Sequence, residues 1–114
     1  MSASLVIDTS TSRTIVGLVK DEQIIWQGFH DGATDHGNAV ALLAKQALAA
    51  GVNPDRVVVG MGPGPFTGLR VGISFARAFA AARNVPVIGI CSLDAIVVDQ
   101  GAYTVAIDAR RKEI

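Results

Sequence analysis

A single cysteine, Cys91, stands among 114 residues, so no disulfide can form within the chain and a reducing compartment is expected. Cys91 itself reads as a small, buried, apolar side chain beside a strand rather than as a nucleophile. Aromatic residues are only 5% of the chain, so the core must be assembled from Ala, Val, Ile and Leu, a composition suited to helices lying close on a sheet. Neither sign of charge is in excess, with ten Lys plus Arg against ten Asp plus Glu. Nothing in that balance predicts general adhesion to nucleic acid or to anionic membranes, and any RNA contact must be local or made through a partner. Long apolar runs are missing too. Leu5, Val6 and Ile7 lead straight into Asp8, and the stretch from Ile73 to Ala82 is interrupted by Ser74 and Arg77. Neither a secretion signal nor a membrane span is expected, and the predicted location is the cytoplasm.

What is present is a regular alternation of short apolar segments. Leu5 to Ile7, Thr14 to Val19 and Ile24 to Phe29 read as three strands, the last two joined by a link of hairpin length, Lys20 to Gln23. An antiparallel opening of this kind argues against a Rossmann domain, whose first strand feeds a helix. Asn38 to Ala50 then shows helical spacing at Val40, Leu43, Ala44, Ala47 and Leu48, stopped by Gly51 with Pro54 beyond. Arg56 to Met61 is a buried strand by composition. A glycine and proline loop follows and leads into a helix from about Gly68 to Arg83. Pro86 to Ile90 predicts a strand, Leu93 to Val98 a helix and Tyr103 to Ile107 a last strand. The order βββαβαβαβ is that of the ribonuclease H-like fold, on which the actin-like ATPase superfamily is built. The expected architecture is therefore a mixed five-stranded sheet with helices on both faces. Residues 1–102 would form that domain, and 103–114 the first strand of a truncated second one.

Three segments invite a chemical reading. Gly60 to Arg70 lies between a strand and a helix, where phosphate-binding loops lie, yet Leu69 and Arg70 stand where a P-loop needs Lys and Ser or Thr. The dinucleotide pattern begun at Gly60 would put its third glycine at Pro65, and Pro63 and Pro65 lack amide hydrogens. A rigid turn, with Thr67 capping the next helix, competes with nucleotide contact through Gly62, Gly64 and Thr67. Asp8-Thr9-Ser10-Thr11-Ser12 ends the first strand where the actin-like superfamily sets an Asp-x-Gly-Thr-Thr turn around phosphate, but Ser10 replaces the glycine. Asp8 and Thr9 are thus either nucleotide contacts or groups satisfying a turn. His30 and His36, six residues apart, match no zinc spacing, and His36 is expected to face solvent or to start the helix. No catalytic residue and no metal site is assigned, and neither a Gly-x-Ser-x-Gly elbow nor a His-Glu-x-x-His pair occurs. Before its terminal Arg83, the helix from Gly68 is polar only along a stripe of Arg70, Ser74 and Arg77, more apolar than one sheet requires. Its remaining surface is expected to meet either another part of the same protein or a partner. The small residues Gly72, Ala76 and Ala80 would admit a partner helix, with Leu69 and Ile73 beside them. On this expectation Ala76→Arg blocks pairing and leaves the fold intact.

Leu5 to Ser10, Gly62 to Gly72 and Val105 to Arg110 together resemble, in order and spacing, the TsaB (YeaZ) family of tRNA threonylcarbamoyladenosine biosynthesis proteins. The resemblance covers about the first half of a family member and departs from its usual form at Pro65, where Ser is common. It implies an actin-like protein without a catalytic site of its own, which pairs with TsaD, the transferase subunit, and with TsaE, an ATPase. Together they place threonylcarbamoyl on N6 of adenosine 37 in tRNAs reading ANN codons. The implied interface is the helix carrying Leu69, Gly72, Ile73, Ala76 and Ala80, together with the preceding helix. A homodimer is implied when the chain is alone, and tRNA is met only through the complex. No cofactor is expected in this chain, although ATP or ADP belongs to the complex, and Arg110 joins the candidate nucleotide contacts. The metal histidines of TsaD fall at Ser92 and Ile96 here. Two other readings remain: the nucleotide-binding half of a small-molecule kinase of the same superfamily, and an M22-type peptidase homologue.

Overall fold

The computed structural model describes residues 3–10, 12–21, 23–32, 35–62 and 66–90, with the side chains of Phe66 and Thr67 excepted. Seven elements follow in chain order: β1 (Ala3–Asp8), β2 (Arg13–Lys20), β3 (Gln23–Asp31), α1 (His36–Leu48), β4 (Arg56–Gly60), α2 (Phe66–Arg83) and β5 (Val87–Ile90). The strands form one five-stranded sheet in the order β3-β2-β1-β4-β5. β1 pairs antiparallel with β2 and parallel with β4, which makes the sheet mixed as expected. The helix expected over 93–98 and the strand over 103–107, with the domain boundary between them, lie outside the described residues.

β1 and β4 are apolar throughout their middles because both lie inside the sheet, and every residue of β1 is buried. Alternate side chains divide into two layers. Leu5, Ile7, Val16, Leu18, Val57 and Val59 point to one face and meet Val40, Leu43, Ala44 and Ala47 of α1 and Ala76 and Ala80 of α2. Val6, Ile15, Val19, Val58 and Ile90 form a second buried layer on the opposite face. A register shift at Leu18/Val19 places Ile25 as the extra residue of a bulge, so Ile24 joins the second layer while Trp26 joins the first. The indole of Trp26 then folds over Gly28, where a methyl group would stand 2.7 Å from the ring and 3.1 Å from Leu43.

Both helices begin two residues earlier than their apolar spacing suggests. α1 starts at His36 because that side chain turns inward, and α2 starts at Phe66, which puts Thr67 inside the helix rather than ahead of it as a cap. Their ends are explained locally. Gly51, at φ +86°, donates its N–H to Leu48 O at 3.1 Å. α2 ends in a Schellman motif: Asn84 takes the left-handed conformation at φ +57°, its N–H bonds to Ala81 O, and Val85 N–H bonds to Ala80 O at 3.0 Å.

Candidate functional site

The chain returns three times to one corner of the sheet, where β1 ends, α1 begins and α2 makes its first turns. Asp8, Thr9, Ser10, Thr14 and His36 are all buried there. Buried polar groups need partners, and each of these has one within the chain. Ser10 donates both its N–H, at 2.8 Å, and its hydroxyl, at 2.6 Å, to Asp8 Oδ1, an Asx-type closure of the turn. The other carboxylate oxygen of Asp8 lies against Gly60 so closely that a Cβ there would collide with it. Gly62, at φ +100°, adopts a conformation that an L side chain resists, and so supplies the bend after β4.

Thr9 points to the helix face. Its hydroxyl donates to Gly68 O at 2.6 Å and accepts the N–H of Gly72 at 2.9 Å. Those two backbone groups are one helical turn apart and would ordinarily face each other in the ladder of α2. Gly72 is sterically required, and Gly68 is tightly confined. A methyl group at Gly72 would stand 2.5 Å from Thr9 Oγ1, and one at Gly68 would stand 3.0 Å from both Thr9 O and His36 Nε2. On its other side His36 shares a 2.6 Å hydrogen bond, through Nδ1, with the hydroxyl of Thr14.

The fold sets Asp8 against Gly60, and Thr9 against Gly68 and Gly72. Gly64 and Arg110 lie outside the described residues, as do Ser92 and Ile96. His36 begins α1, one of its two expected roles, but it does not face solvent: it is only 5% exposed. No local pattern announces that burial; the Gly68, Gly72, Ala76, Ala80 series signals only that one face of α2 is closely packed. Four small residues at four-residue spacing mark the face of a helix pressed against something. Here it is pressed against its own domain.

That is a correction. Gly72, Ala76 and Ala80 were expected to admit a partner, but Ala76 is 0% and Ala80 2% exposed, packed with the sheet and α1. A charged side chain at Ala76 would therefore disturb the fold itself. Leu69 and Ile73 remain half-buried, and Arg70, Ser74 and Arg77 exposed, on the rest of α2. Phe75 and Phe79 stack at 6.0 Å, and the Arg83 guanidinium lies 4.6 Å from the centre of the Phe79 ring. Among the described residues no three His, Cys, Asp or Glu side chains converge as metal ligands, and no helix is long and apolar enough to cross a membrane.

Residues 31–114 match the family model described as TsaD, tRNA N6-adenosine threonylcarbamoyltransferase. An uncharacterized Mycobacterium tuberculosis protein is 42% identical over 122 residues, covering 100% of this chain and 57% of that protein. The Escherichia coli tRNA threonylcarbamoyladenosine biosynthesis protein TsaB is 30% identical over 122 residues, covering 96% of this chain and 52% of its own length. Among solved structures, YeaZ from Pseudomonas aeruginosa superposes with a TM-score of 0.75 at 30% identity, over 82% of this chain and 45% of that one. The chain spans about half the length of the curated relatives it matches.

Proposed function

The chain belongs to the TsaB/YeaZ family, and from that premise we propose that it is an accessory, non-catalytic subunit of tRNA N6-threonylcarbamoyladenosine synthesis. In this reading it pairs with a TsaD homologue, works alongside TsaE, and forms a homodimer when alone. The observation that carries the reading is the state of the Asp8-Thr9-Ser10 turn. In the superfamily's phosphate-binding position, the Thr9 hydroxyl is engaged on both its donor and acceptor sides by the chain's own backbone. Asp8 is held by Ser10 and wedged on Gly60. A phosphate would have to displace bonds already made in a buried corner, and such exchanges return little net free energy.

The partner surface in this reading is the outer side of α1 and α2. It offers exposed Leu42 and half-buried Leu69 and Ile73, and its only ionisable groups outside the buried His36 are Lys45, Arg70, Arg77 and Arg83. A helix surface that mixes apolar contacts with one sign of charge suits a complementary protein face. The test uses Leu69→Glu and Ile73→Glu in the full-length protein. Each is expected to weaken binding to the TsaD homologue at least tenfold by calorimetry, with the melting temperature little changed in Leu69→Glu and lowered in Ile73→Glu, whose side chain also packs against the core. Each is also expected to lower threonylcarbamoyladenosine in tRNA when it replaces the native gene. Unchanged affinity in both folded variants would remove the surface from consideration. ATP turnover by the purified protein that vanishes in Asp8→Asn would remove the non-catalytic role.

A further inference from the structure

We propose that Thr9 is a positioning residue: its hydroxyl is a latch that ties the first turns of α2 to the end of β1, and so fixes the surface that α2 presents. The inference rests on the accessory-subunit reading only for the identity of what α2 meets. The latch itself rests on geometry. Thr9 is 1% exposed, and its Oγ1 bridges Gly68 O and Gly72 N–H at 2.6 and 2.9 Å. A side chain from outside a helix that enters its hydrogen-bond ladder changes the local course of that helix. β-Branching restricts the Thr9 rotamer, and its Cγ2 and Cβ stand only 3.2 and 3.3 Å from where a methyl on Gly72 would be, so the contact leaves no slack.

The positions that would meet a partner follow the latched atoms directly. Leu69 is the residue after Gly68, and Ile73 the residue after Gly72. Any change in how the ladder is seated turns both. Across the same junction His36 abuts Gly68 while bonding Thr14 of β2, so the start of α1 is held to the same point. A turn that the superfamily uses around phosphate here orients a helix.

The experiment compares Thr9→Val, which removes the hydroxyl at nearly constant volume, with Thr9→Ser, which keeps it, in the full-length protein. Thr9→Val is expected to lower affinity for the TsaD homologue about tenfold or more and to speed exchange of the Gly72 amide at least tenfold relative to the β1 amides. Thr9→Ser should restore both to within about threefold of wild type. A folded Thr9→Val with wild-type affinity and wild-type Gly72 exchange overturns the proposal. Should Thr9→Val fail to fold, the wild-type protein decides. The Thr9 hydroxyl proton is then expected to be observable by NMR, with a cross-peak to the Gly72 amide. A hydroxyl exchanging too fast to detect overturns the latch. If wild type itself does not bind the TsaD homologue, the accessory reading fails, while Gly72 exchange and the hydroxyl proton still judge the latch.

Discussion

At the scale of single residues, small side chains on α2 separate two kinds of surface that look alike in a sequence. Ala76 and Ala80 touch the sheet and α1, whereas Leu69 and Ile73 stay partly open. An arginine at Ala76 would have to bury a charge without a counter-charge or split α2 from the sheet, a cost of about 3 kcal/mol or more. Ala76→Arg is therefore expected to lower the thermal midpoint by at least ten degrees or to prevent folding. A soluble variant melting within two degrees of wild type would show that Ala76 faces outward. The sequence carried the spacing that marks a close-packed helix face, but spacing alone is silent on whether the neighbour is the same chain or another. His36 illustrates the same gap. Its burial depends on Thr14 and Gly68, which lie 22 and 32 positions away and share no local pattern with it.

At the scale of elements, the pattern was far more legible. All seven described elements were anticipated in type and order, because strand and helix periods differ and because Gly51 and the Lys20 to Gln23 link punctuate the chain clearly. Boundaries were less so: the starts of α1 and α2 are decided by contacts made far away in sequence. The sheet order ranks the strands. β2, β1 and β4 have neighbours on both sides, with β1 at the centre, while among the described residues β3 and β5 pair on one side only. Backbone amides of Val6, Ile7, Val58 and Val59 are expected to exchange slowest, through global unfolding alone, and those of β3 faster by local opening. Hydrogen exchange resolved by residue checks this. Slowest exchange in β3 would contradict a sheet centred on β1.

At the scale of the whole molecule, a formal net charge of zero conceals an uneven distribution. The ion pairs Arg13–Asp31 and Arg56–Asp55 belong to the strands and their margins, whereas α1 and α2 carry Lys45, Arg70, Arg77 and Arg83 and no carboxylate. Two copies meeting through this layer would bring cations together, and a carboxylate-bearing partner would not. Raising salt from about 0.05 to 0.5 M should therefore weaken the proposed complex with a TsaD homologue and leave unchanged or strengthen any homodimer, because screening removes attraction in one and repulsion in the other. Sedimentation of each species across that range measures the two slopes, and slopes of the same sign would refute the charge argument. The fold also carries its own optical probe. Its lone tryptophan, Trp26, lies on β3, stacked across Gly28 beside Leu43 of α1. Its emission will therefore report when α1 lifts from the sheet, without any dye being attached.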